Sequence, residues 1–339
     1  MQIKIVDNIV DFKKLKPKWK YLYQKDNQYS VFQSFEFNYF SWTNDIQYKD
    51  SKLTIICVEI NNKICSIFPL YIDSDKRVRF INDIHADFCD CLTIKILDFQ
   101  LVLDIIKNKF SYHQIRLINL KRESKLLSLK NIPTFLKASS YSFLNLEKGN
   151  FPENYKIYKS KQKTEFKRII KTNSINTHTI ICSEKSKFPI EEIKTLRKEM
   201  ISLGYRSKKF LPISMIDLLK ELYDRKFIVL SIVQDDSKVK AISFITSRLE
   251  NHMFWIDMFD DSKMINIFNY ISFISMKSFN NHININFGRG LYRYKIKNFL
   301  PNERYLHSIL IYSSRWQEFK YKLITNLVKL LKYILRKVR

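Results

Sequence analysis

The stretch that decides the fold reads Ile283-Asn284-Ile285-Asn286-Phe287-Gly288-Arg289-Gly290-Leu291-Tyr292-Arg293-Tyr294-Lys295. It holds two of the four glycines in the chain, one residue apart. Before them, Ile283, Ile285 and Phe287 alternate with asparagines, which is typical of a strand with one buried face. Glycine has no Cβ, so a ligand or another backbone segment can approach it closely. The pattern predicts a strand that ends at Gly-Arg-Gly, followed by either a ligand-binding loop or a solvated basic turn.

Length and composition predict about two domains with well-filled cores. The chain has 339 residues, of which 45% are hydrophobic and 14% aromatic. The first residues lack the apolar run of a signal peptide, and no uncharged span of about 18 residues occurs. We therefore expect a cytoplasmic protein that is soluble or at most attached to a membrane surface. The five cysteines are scattered, and Cys57 and Cys65 lie in apolar runs, so we expect reduced cysteines in the core.

The charge of the chain is strongly basic. The formal net charge is +26, with 59 lysines and arginines against 33 acidic residues. A diffuse excess of lysine is typical of a solvated surface. It favours anionic partners such as phosphates, nucleic acid or acidic lipid headgroups. The charge therefore indicates a preference among partners and not a function.

Two halves of the chain repeat the same order of elements at an offset of about 170 residues. In each half, two strands joined by a short turn precede a third strand, a helix and two further strands. The turns are Asn61-Asn62, which tolerates positive φ, and Asp235-Asp236-Ser237. The order predicts a mixed α/β (α+β) fold with two domains, residues 1–150 and 151–314, and a tail, residues 315–339.

Five motifs occur in an order that resembles a known family. They are Trp19 with Phe32-Gln33-Ser34, then Ser66-Ile67-Phe68-Pro69-Leu70, Asp87-Phe88-Cys89-Asp90, the basic segment 159–168, and Phe287-Gly288-Arg289-Gly290 with Tyr294-Lys295. Together they resemble the CelD/BcsL-type acyltransferases of the GNAT superfamily, relatives of the FemAB peptidyltransferases, over roughly residues 15–315. The resemblance implies two tandem GNAT-like domains, each with a mixed, largely antiparallel sheet flanked by helices.

The resemblance also implies an enzyme that transfers an acyl group from acyl-CoA to an amine or hydroxyl. The acceptor would be a sugar-nucleotide or glycan intermediate in cell-envelope polysaccharide synthesis. Such enzymes usually hold the cofactor pyrophosphate at a glycine-containing turn before a helix, whereas residues 260–266 contain no glycine. Either Lys263 and the backbone hold the phosphates, or the donor differs. The alternatives are a FemAB-like enzyme that uses aminoacyl-tRNA and a catalytically silent, basic binding module.

Candidate catalytic residues follow from the needs of acyl transfer, which are a base, a proton donor and groups that stabilise an oxyanion. Asp257, on an aromatic strand, is the candidate base, or it caps the strand end or pairs with a lysine. Tyr294 is the candidate proton donor, or it only packs. Lys295 is the candidate cation for an oxyanion or phosphate, or it lies on a solvated face.

The remaining candidates bind ligands. Four residues are assigned to the cofactor and three to the substrate: Lys263, Gly288, Arg289 and Gly290 for the cofactor, and Gln33, Asp87 and Tyr292 for the substrate. Tyr292 could also donate a proton to the leaving group. His85, Asp87, Cys89 and Cys91 alternate along one loop without a second cluster, so we expect no metal.

The tail, residues 315–339, has the pattern of an amphipathic helix. Its apolar residues recur at steps of three and four, and its remainder is strongly basic, with Glu318 the only acid. One interpretation is a helix docked on the second domain with its lysines in solvent. The other is a helix that lies in the plane of an anionic membrane, which would place the enzyme beside lipid-linked acceptors.

Overall fold

The structure of the protein is a computed structural model that describes residues 2–44, 48–94, 99–128, 134–153, 155–236, 238–260 and 263–337. Its elements are, in chain order, β1 (Gln2–Val6), α1 (Ile9–Lys14), α2 (Lys16–Gln24), α3 (Phe35–Asn44), β2 (Lys52–Ile60), β3 (Lys63–Ile72), β4 (Arg77–Phe80), β5 (Leu92–Thr93), α4 (Phe99–Lys109), β6 (Gln114–Leu120), β7 (Thr134–Leu146), α5 (Ser160–Thr172), β8 (Thr177–Ile181), α6 (Ile190–Ser202), α7 (Ile213–Asp224), β9 (Ile228–Asp235), β10 (Lys238–Arg248), β11 (Asn251–Phe259), α8 (Lys263–Ser278), β12 (Ile283–Arg289), α9 (Arg293–Phe299), β13 (Asn302–Tyr312) and α10 (Arg315–Lys337).

Local signals set several of these elements. The hairpin of β2 and β3 turns at Asn61 and Asn62, whose φ angles of 50° and 60° are the positive values that such a turn requires. Helix α3 begins after Ser34, whose Oγ accepts a hydrogen bond from the N–H of Phe37 at 3.1 Å. The mixed α/β class predicted from the order of elements is confirmed.

The chain forms two compact units that are interleaved in sequence. The first unit contains Met1–Asp26, Gln47–Lys137 and Leu306–Arg339, and the second contains Asn27–Ile46 and Ala138–Tyr305. The domain boundaries expected from the sequence, at residues 150 and 314, stay a prediction.

The sheet of the first unit has the strand order β1-β2-β3-β4-β6-β13, and β5 pairs with β3. Neighbouring strands are antiparallel except for β4 and β6, which are parallel. Apolar side chains from the sheet and from α4 form the core, where the rings of Phe68 and Phe99 stack at 5.8 Å. Cys57 and Cys65 are buried in β2 and β3, and their thiols are free.

The sheet of the second unit has the order β8-β9-β10-β11-β12-β7. Again one pair is parallel, β11 with β12, and the other pairs are antiparallel. Its core is rich in aromatic side chains, with Phe166, Phe254, Tyr270, Phe287 and Phe299 all buried in one cluster. The strands of the two units thus share the same sequence of directions.

The last strand named in each of these two orders comes from an unexpected part of the chain. The strand after β6 in sequence is β7, but β7 pairs with β12 in the second unit. The place beside β6 is taken by β13, which follows the second unit in sequence. This exchange explains why residues after Leu306 belong to the first unit.

One segment of the decisive stretch differs from its prediction. The strand β12 continues through Gly288 to Arg289, and Arg293–Phe299 form helix α9 where we predicted a loop. Tyr292 is the N-cap residue of this helix. Among the residues described, no helix is both long enough and apolar enough to cross a membrane.

Candidate functional site

The second unit has an opening between its two parallel strands. Strands β11 and β12 pair over only three residues, from Asn251 with Asn284 to Met253 with Asn286. Strand β11 then continues to Phe259 and leads within three residues into α8. Ligands of open α/β sheets bind outside the carboxyl ends of strands, where neighbouring strands separate. The opening is therefore the candidate ligand-binding site of the second unit.

A β-bulge turns Asp257 toward α8. In the pairing of β10 with β11, Phe244 opposes Ile256 and Ile245 opposes Phe254, so Trp255 is the extra residue. An extra residue reverses the alternation of side chains along a strand. As a result, Asp257 lies on the same face as Phe254, whose ring is 4.0 Å from that of Tyr270 on α8.

Asp257 accepts hydrogen bonds from two neighbours. The Oγ of Ser243, on β10, donates to Oδ1 at 2.9 Å, and the hydroxyl of Tyr270 donates to Oδ2. Tyr270 is also hydrogen-bonded to the side chain of Tyr294, on α9. Because Tyr270 has one hydrogen and gives it to the carboxylate, the hydroxyl of Tyr294 donates to the oxygen of Tyr270. The result is a directed chain from Tyr294 through Tyr270 to Asp257.

The two phenols in this chain are neutral. Burial raises the pKa of Tyr270 well above its usual value, and the negative charge of Asp257 raises it further. The same two causes, in the same order, raise the pKa of Tyr294. Tyr270 is fully buried, whereas Tyr294 is only partly buried. Tyr294 is therefore the member of the chain that a substrate can reach.

A second arm of hydrogen bonds reaches Asp257 across the sheet. Nδ2 of Asn269, on α8, donates to Ser243 at 3.1 Å, and Oδ1 of Asn269 accepts from the Oγ of Ser231 at 2.6 Å. Nε2 of His178 lies 2.8 Å from the Oγ of Ser231. Since the hydroxyl hydrogen of Ser231 is already donated, His178 is the donor to it through Nε2–H.

Burial lowers the pKa of His178 to about 4. The imidazole is therefore neutral near pH 7, which suits its place as a donor at the end of the arm. The buried carboxylate of Asp257 is the final acceptor of both arms, and its partners are all uncharged groups.

The two glycines of Gly-Arg-Gly have structural roles. Gly288 has a φ of 72° and lies where β12 bulges against β7. Gly290 has a φ of 98°, and its N–H donates to the carbonyl of Ser140 at 2.7 Å. The N–H of Gly288 donates to Oδ1 of Asn286 at 2.8 Å. Both N–H groups are thus used within the chain, so neither is available to an oxyanion.

Lys295 lies in the interior and not on the solvated face that was its alternative. Its side chain is 4% exposed, and its Nζ donates to the carbonyl of Phe287 near the end of β12. The same Nζ lies 5.2 Å from the ring centroid of Tyr292 and 5.9 Å from that of Tyr294. The structure therefore places a cation beside the outermost phenol of the chain.

The other predicted residues are dispersed. Arg289 is half-buried at the end of β12. Lys263 begins α8, but its side chain lies outside the description, as do Asp261 and Ser262. Gln33, in the second unit, accepts hydrogen bonds from the N–H and Oγ of Ser30 at 2.9 and 2.8 Å, which caps a short helix. Asp87 is buried in the first unit.

Sequence analysis missed the residues that connect the site. Tyr270 and Asn269 lie on α8, Ser243 on β10, and each is fully buried. Polar residues at successive turns of an otherwise apolar helix were the available signal, and Asn266 continues it. Asn266 is also buried, and among the described residues its Oδ1 has no hydrogen-bond partner. No group of three metal-ligating side chains occurs in the part of the chain that is described.

Comparisons with known proteins identify the fold. The chain is similar to a C-terminal domain assigned to a lysylphosphatidylglycerol synthetase of Agrobacterium fabrum, with a TM-score of 0.61, 10% identity, and coverage of 93% of this chain and 97% of that one. It is similar to FemX, with a TM-score of 0.59, 8% identity, and coverage of 96% and 100%. A tandem GNAT protein of the clavulanic acid pathway gives a TM-score of 0.50, 5% identity, and coverage of 92% and 99%. The chain has a GNAT-type fold.

By sequence, the chain matches no protein-family profile and no curated protein. The GNAT part of the predicted resemblance is confirmed at the level of the fold. The narrower likeness to CelD/BcsL-type enzymes stays a prediction.

Proposed function

We propose that the protein is an acyltransferase whose reaction takes place at the opening between β11 and β12. The observation that carries the proposal is the directed chain from Tyr294 through Tyr270 to Asp257. It joins a partly accessible hydroxyl to a buried carboxylate, which is the arrangement that a proton relay needs.

The relay accounts for both proton transfers of acyl transfer. As the amine or hydroxyl of the acceptor attacks the thioester carbonyl, its proton passes to Tyr294, that of Tyr294 to Tyr270, and that of Tyr270 to Asp257. The new bond to carbon forms, and the carbon–sulfur bond breaks. The thiolate then takes a proton from Tyr294 as the relay runs in reverse, so the enzyme returns to its starting state.

Lys295 supplies the positive charge of the site. A buried cation acts strongly on developing negative charge because little water screens it. It lies beside Tyr294 and is held by the carbonyl of Phe287. We assign it to the oxyanion, in place of the N–H groups of Gly288 and Gly290. Arg289 and Lys263 are proposed to contact the phosphates of the donor.

The finer proposal follows the sequence resemblance. The donor is acyl-CoA, and the acceptor is the amine or hydroxyl of a sugar-nucleotide or glycan intermediate of envelope polysaccharide synthesis, as for CelD/BcsL-type enzymes. The equal order of strand directions in the two sheets supports two tandem GNAT-like domains. Gln33, Asp87 and Tyr292 are proposed to bind the acceptor, and the location is cytoplasmic, with a peripheral position at the membrane.

A second candidate donor is an aminoacyl-tRNA. The net charge of +26 favours it, as does the similarity of the fold to FemX. The relay would act in the same way on an ester donor, with the tRNA hydroxyl as the leaving group. The geometry of the site supports acyl transfer as the type of reaction. The net charge of the chain bears only on which donor is used.

The test is a donor comparison with the full chain. Release of free thiol from acyl-CoA, dependent on an amino-sugar nucleotide, supports the first donor. Transfer of a labelled amino acid from tRNA, together with tRNA binding that weakens steeply with salt, supports the second. Tyr294→Phe removes only the reachable hydroxyl and should abolish either activity. Glycan binding without any transfer would overturn the proposal in favour of a silent binding module.

A further inference from the structure

Helix α10 of the first unit exposes a continuous apolar stripe. Six large apolar side chains on it are between 48% and 67% exposed: Trp316, Phe319, Leu323, Ile324, Leu327 and Leu331. Five of them recur at steps of three and four residues and Ile324 adjoins Leu323, so they lie along one side of the helix. The stripe is roughly 23 Å long at 1.5 Å per residue. A solvent-exposed apolar surface of this length marks an interaction site.

The orientation of the helix is the reverse of that expected for a helix docked by its apolar face. The half-buried residues of its first turns are Gln317, Glu318 and Tyr321. The ring of Tyr321 packs against that of Tyr312, on β13, at 5.7 Å. Trp316 and Phe319, one turn away, remain exposed. In its first two turns the helix therefore contacts its unit through a more polar side, and the described residues of the stripe stay exposed.

The charges of the helix indicate what covers the stripe. Its sequence holds Arg315, Lys320, Lys322, Lys329, Lys332, Arg336 and Lys337, with Glu318 as the one acid between residues 315 and 337. Glu318 is paired with Lys322 at 2.6 Å, so it does not offset the remaining cations. Of the cations whose side chains are described, Arg315, Lys320 and Lys322 are exposed, and Lys320 falls within the arc of the stripe at about 100° per residue. Lysine stems within such a face extend so that the ammonium reaches the polar layer.

We propose that α10 docks the protein on an anionic membrane surface, with the helix in the plane of the interface. Apolar burial and attraction of the cations to acidic headgroups act together in such helices, and neither is sufficient alone. A protein partner would need one shaped groove for an outward stripe, whereas a bilayer accepts it without shape complementarity. The inference goes beyond the transfer reaction and does not depend on it.

The experiment is co-sedimentation of the full chain with vesicles of phosphatidylcholine, with and without about one-third phosphatidylglycerol. We expect binding to the anionic vesicles only, and loss of binding at high salt. The double variant Leu323→Glu and Leu327→Glu should bind at least about tenfold more weakly.

The matched control is the double variant Ile175→Glu and Ile213→Glu. Both isoleucines are 77% exposed in the second unit, so the control makes the same change of charge and removes at least as much exposed apolar surface away from α10. It should bind the vesicles like the wild type. Equal loss of binding in both double variants would overturn the proposal, because net charge alone would then explain the attraction.

Trp316 supplies a second readout. Its emission should shift to the blue and be quenched by brominated lipid on binding, and Trp316→Phe should lose this signal while still binding. Absence of binding by a folded monomer overturns the proposal. So does dimerisation of the free chain that the double variant in α10 abolishes without any binding to vesicles, since a second copy would then cover the stripe.

Discussion

The two units place a buried carboxylate beside the same kind of strand pair but give it different partners. In the first unit, β4 and β6 are parallel over only two residue pairs, as β11 and β12 are over three in the second. Near the first pair, Asp83 is fully buried and forms a two-fold ion pair with Arg79, at 2.5 and 3.1 Å. Near the second, Asp257 accepts from Ser243 and Tyr270.

The surroundings of the two carboxylates also differ. In the first unit, Asn119 of β6 holds the loop that follows β4, because its Nδ2 donates to the carbonyls of Asp83 and Ala86 at 3.2 and 3.1 Å. The carbonyl of Asn119 accepts from the N–H of Cys89 at 3.0 Å. In the first unit, the loop that follows β4 therefore lies beside this pair of parallel strands. In the second unit, the polar chain ends at the partly accessible Tyr294.

The partner of each carboxylate decides its chemistry. A guanidinium does not release its proton in proteins, so the pair of Asp83 and Arg79 can only hold structure. A phenol can pass a proton on, so Asp257 can take part in a reaction. The same strand pattern therefore supports a structural ion pair in one unit and a candidate relay in the other.

The largest expected effect is on catalysis. Asp257→Asn removes the final proton acceptor and should lower kcat about 100- to 10,000-fold, the range expected for a general base. Its matched control, Asp83→Asn, makes the same substitution in the first unit and should leave the kcat of the folded protein unchanged. Initial rates with the donor that supports turnover measure both. Equal losses in the two variants would contradict the division of roles.

The next largest effect is on stability, and here the variant in the first unit should lose more than the variant in the second. Asp83→Asn leaves the buried guanidinium of Arg79 with the more distant Asp73 at 3.5 Å as its remaining ion-pair partner. We expect a loss of about 3 kcal/mol in the free energy of unfolding. Asp257→Asn weakens the hydrogen bonds that the carboxylate accepts from uncharged donors and should cost less, about 2 kcal/mol. Urea unfolding measures both, and a larger loss for Asp257→Asn would reverse the comparison.

The response to pH should also differ between the units. Burial lowers the pKa of His178 from 6.5 to about 4, so between these values the unfolded chain binds more protons at this position. Its contribution to stability is therefore present above pH 6.5 and is lost as the pH falls toward 4. His178→Gln should reduce this loss by about 3 kcal/mol, since the pKa falls from 6.5 to about 4 and one pKa unit corresponds to about 1.4 kcal/mol. Unfolding curves at several pH values test this.

For Asp90, in the first unit, the pH dependence of stability has the opposite sign. Burial raises its pKa from 3.8 to about 7, so the folded state binds more protons in this range, and its contribution to stability is lost as the pH rises toward 7. Hydrogen exchange measured by segment should therefore show the units responding in opposite directions. A pH profile of stability that His178→Gln leaves unchanged would refute the assignment.

The smallest expected effect separates two glycines within the second unit. Gly204 and Gly290 both have positive φ, 72° and 98°. An alanine at either should cost about 1 kcal/mol because L-residues resist this conformation. A Cβ at Gly290 would lie 3.0 Å from Cε2 of Tyr292, whereas one at Gly204 meets nothing within 4 Å. Only Gly290→Ala should therefore also lower turnover, by severalfold. Unchanged kinetics would make its turn an ordinary one.

The sequence by itself determined the elements whose signals are local. The Asn61-Asn62 turn fixed the hairpin of β2 and β3, since few residue pairs accept positive φ twice. The alternation from Ile283 to Phe287 identified β12, and the three- and four-residue steps of the tail identified α10. Asp257, Tyr294 and Lys295 were also named from residue type and position. Hydrogen bonds between near neighbours and side-chain periodicity are properties of a short segment, so the segment is enough to predict them.

Only the tertiary structure decided how these parts combine. The bulge at Trp255 depends on how many residues of β10 oppose β11, and it alone brings Asp257 to the face of Tyr270. Regular alternation along β11 would have placed Asp257 on the opposite face. The exchange of β7 and β13 and the outward stripe of α10 likewise depend on which partner lies alongside. Strand register and the choice of buried face are set by contacts between segments distant in sequence, because burial is gained only where two surfaces meet.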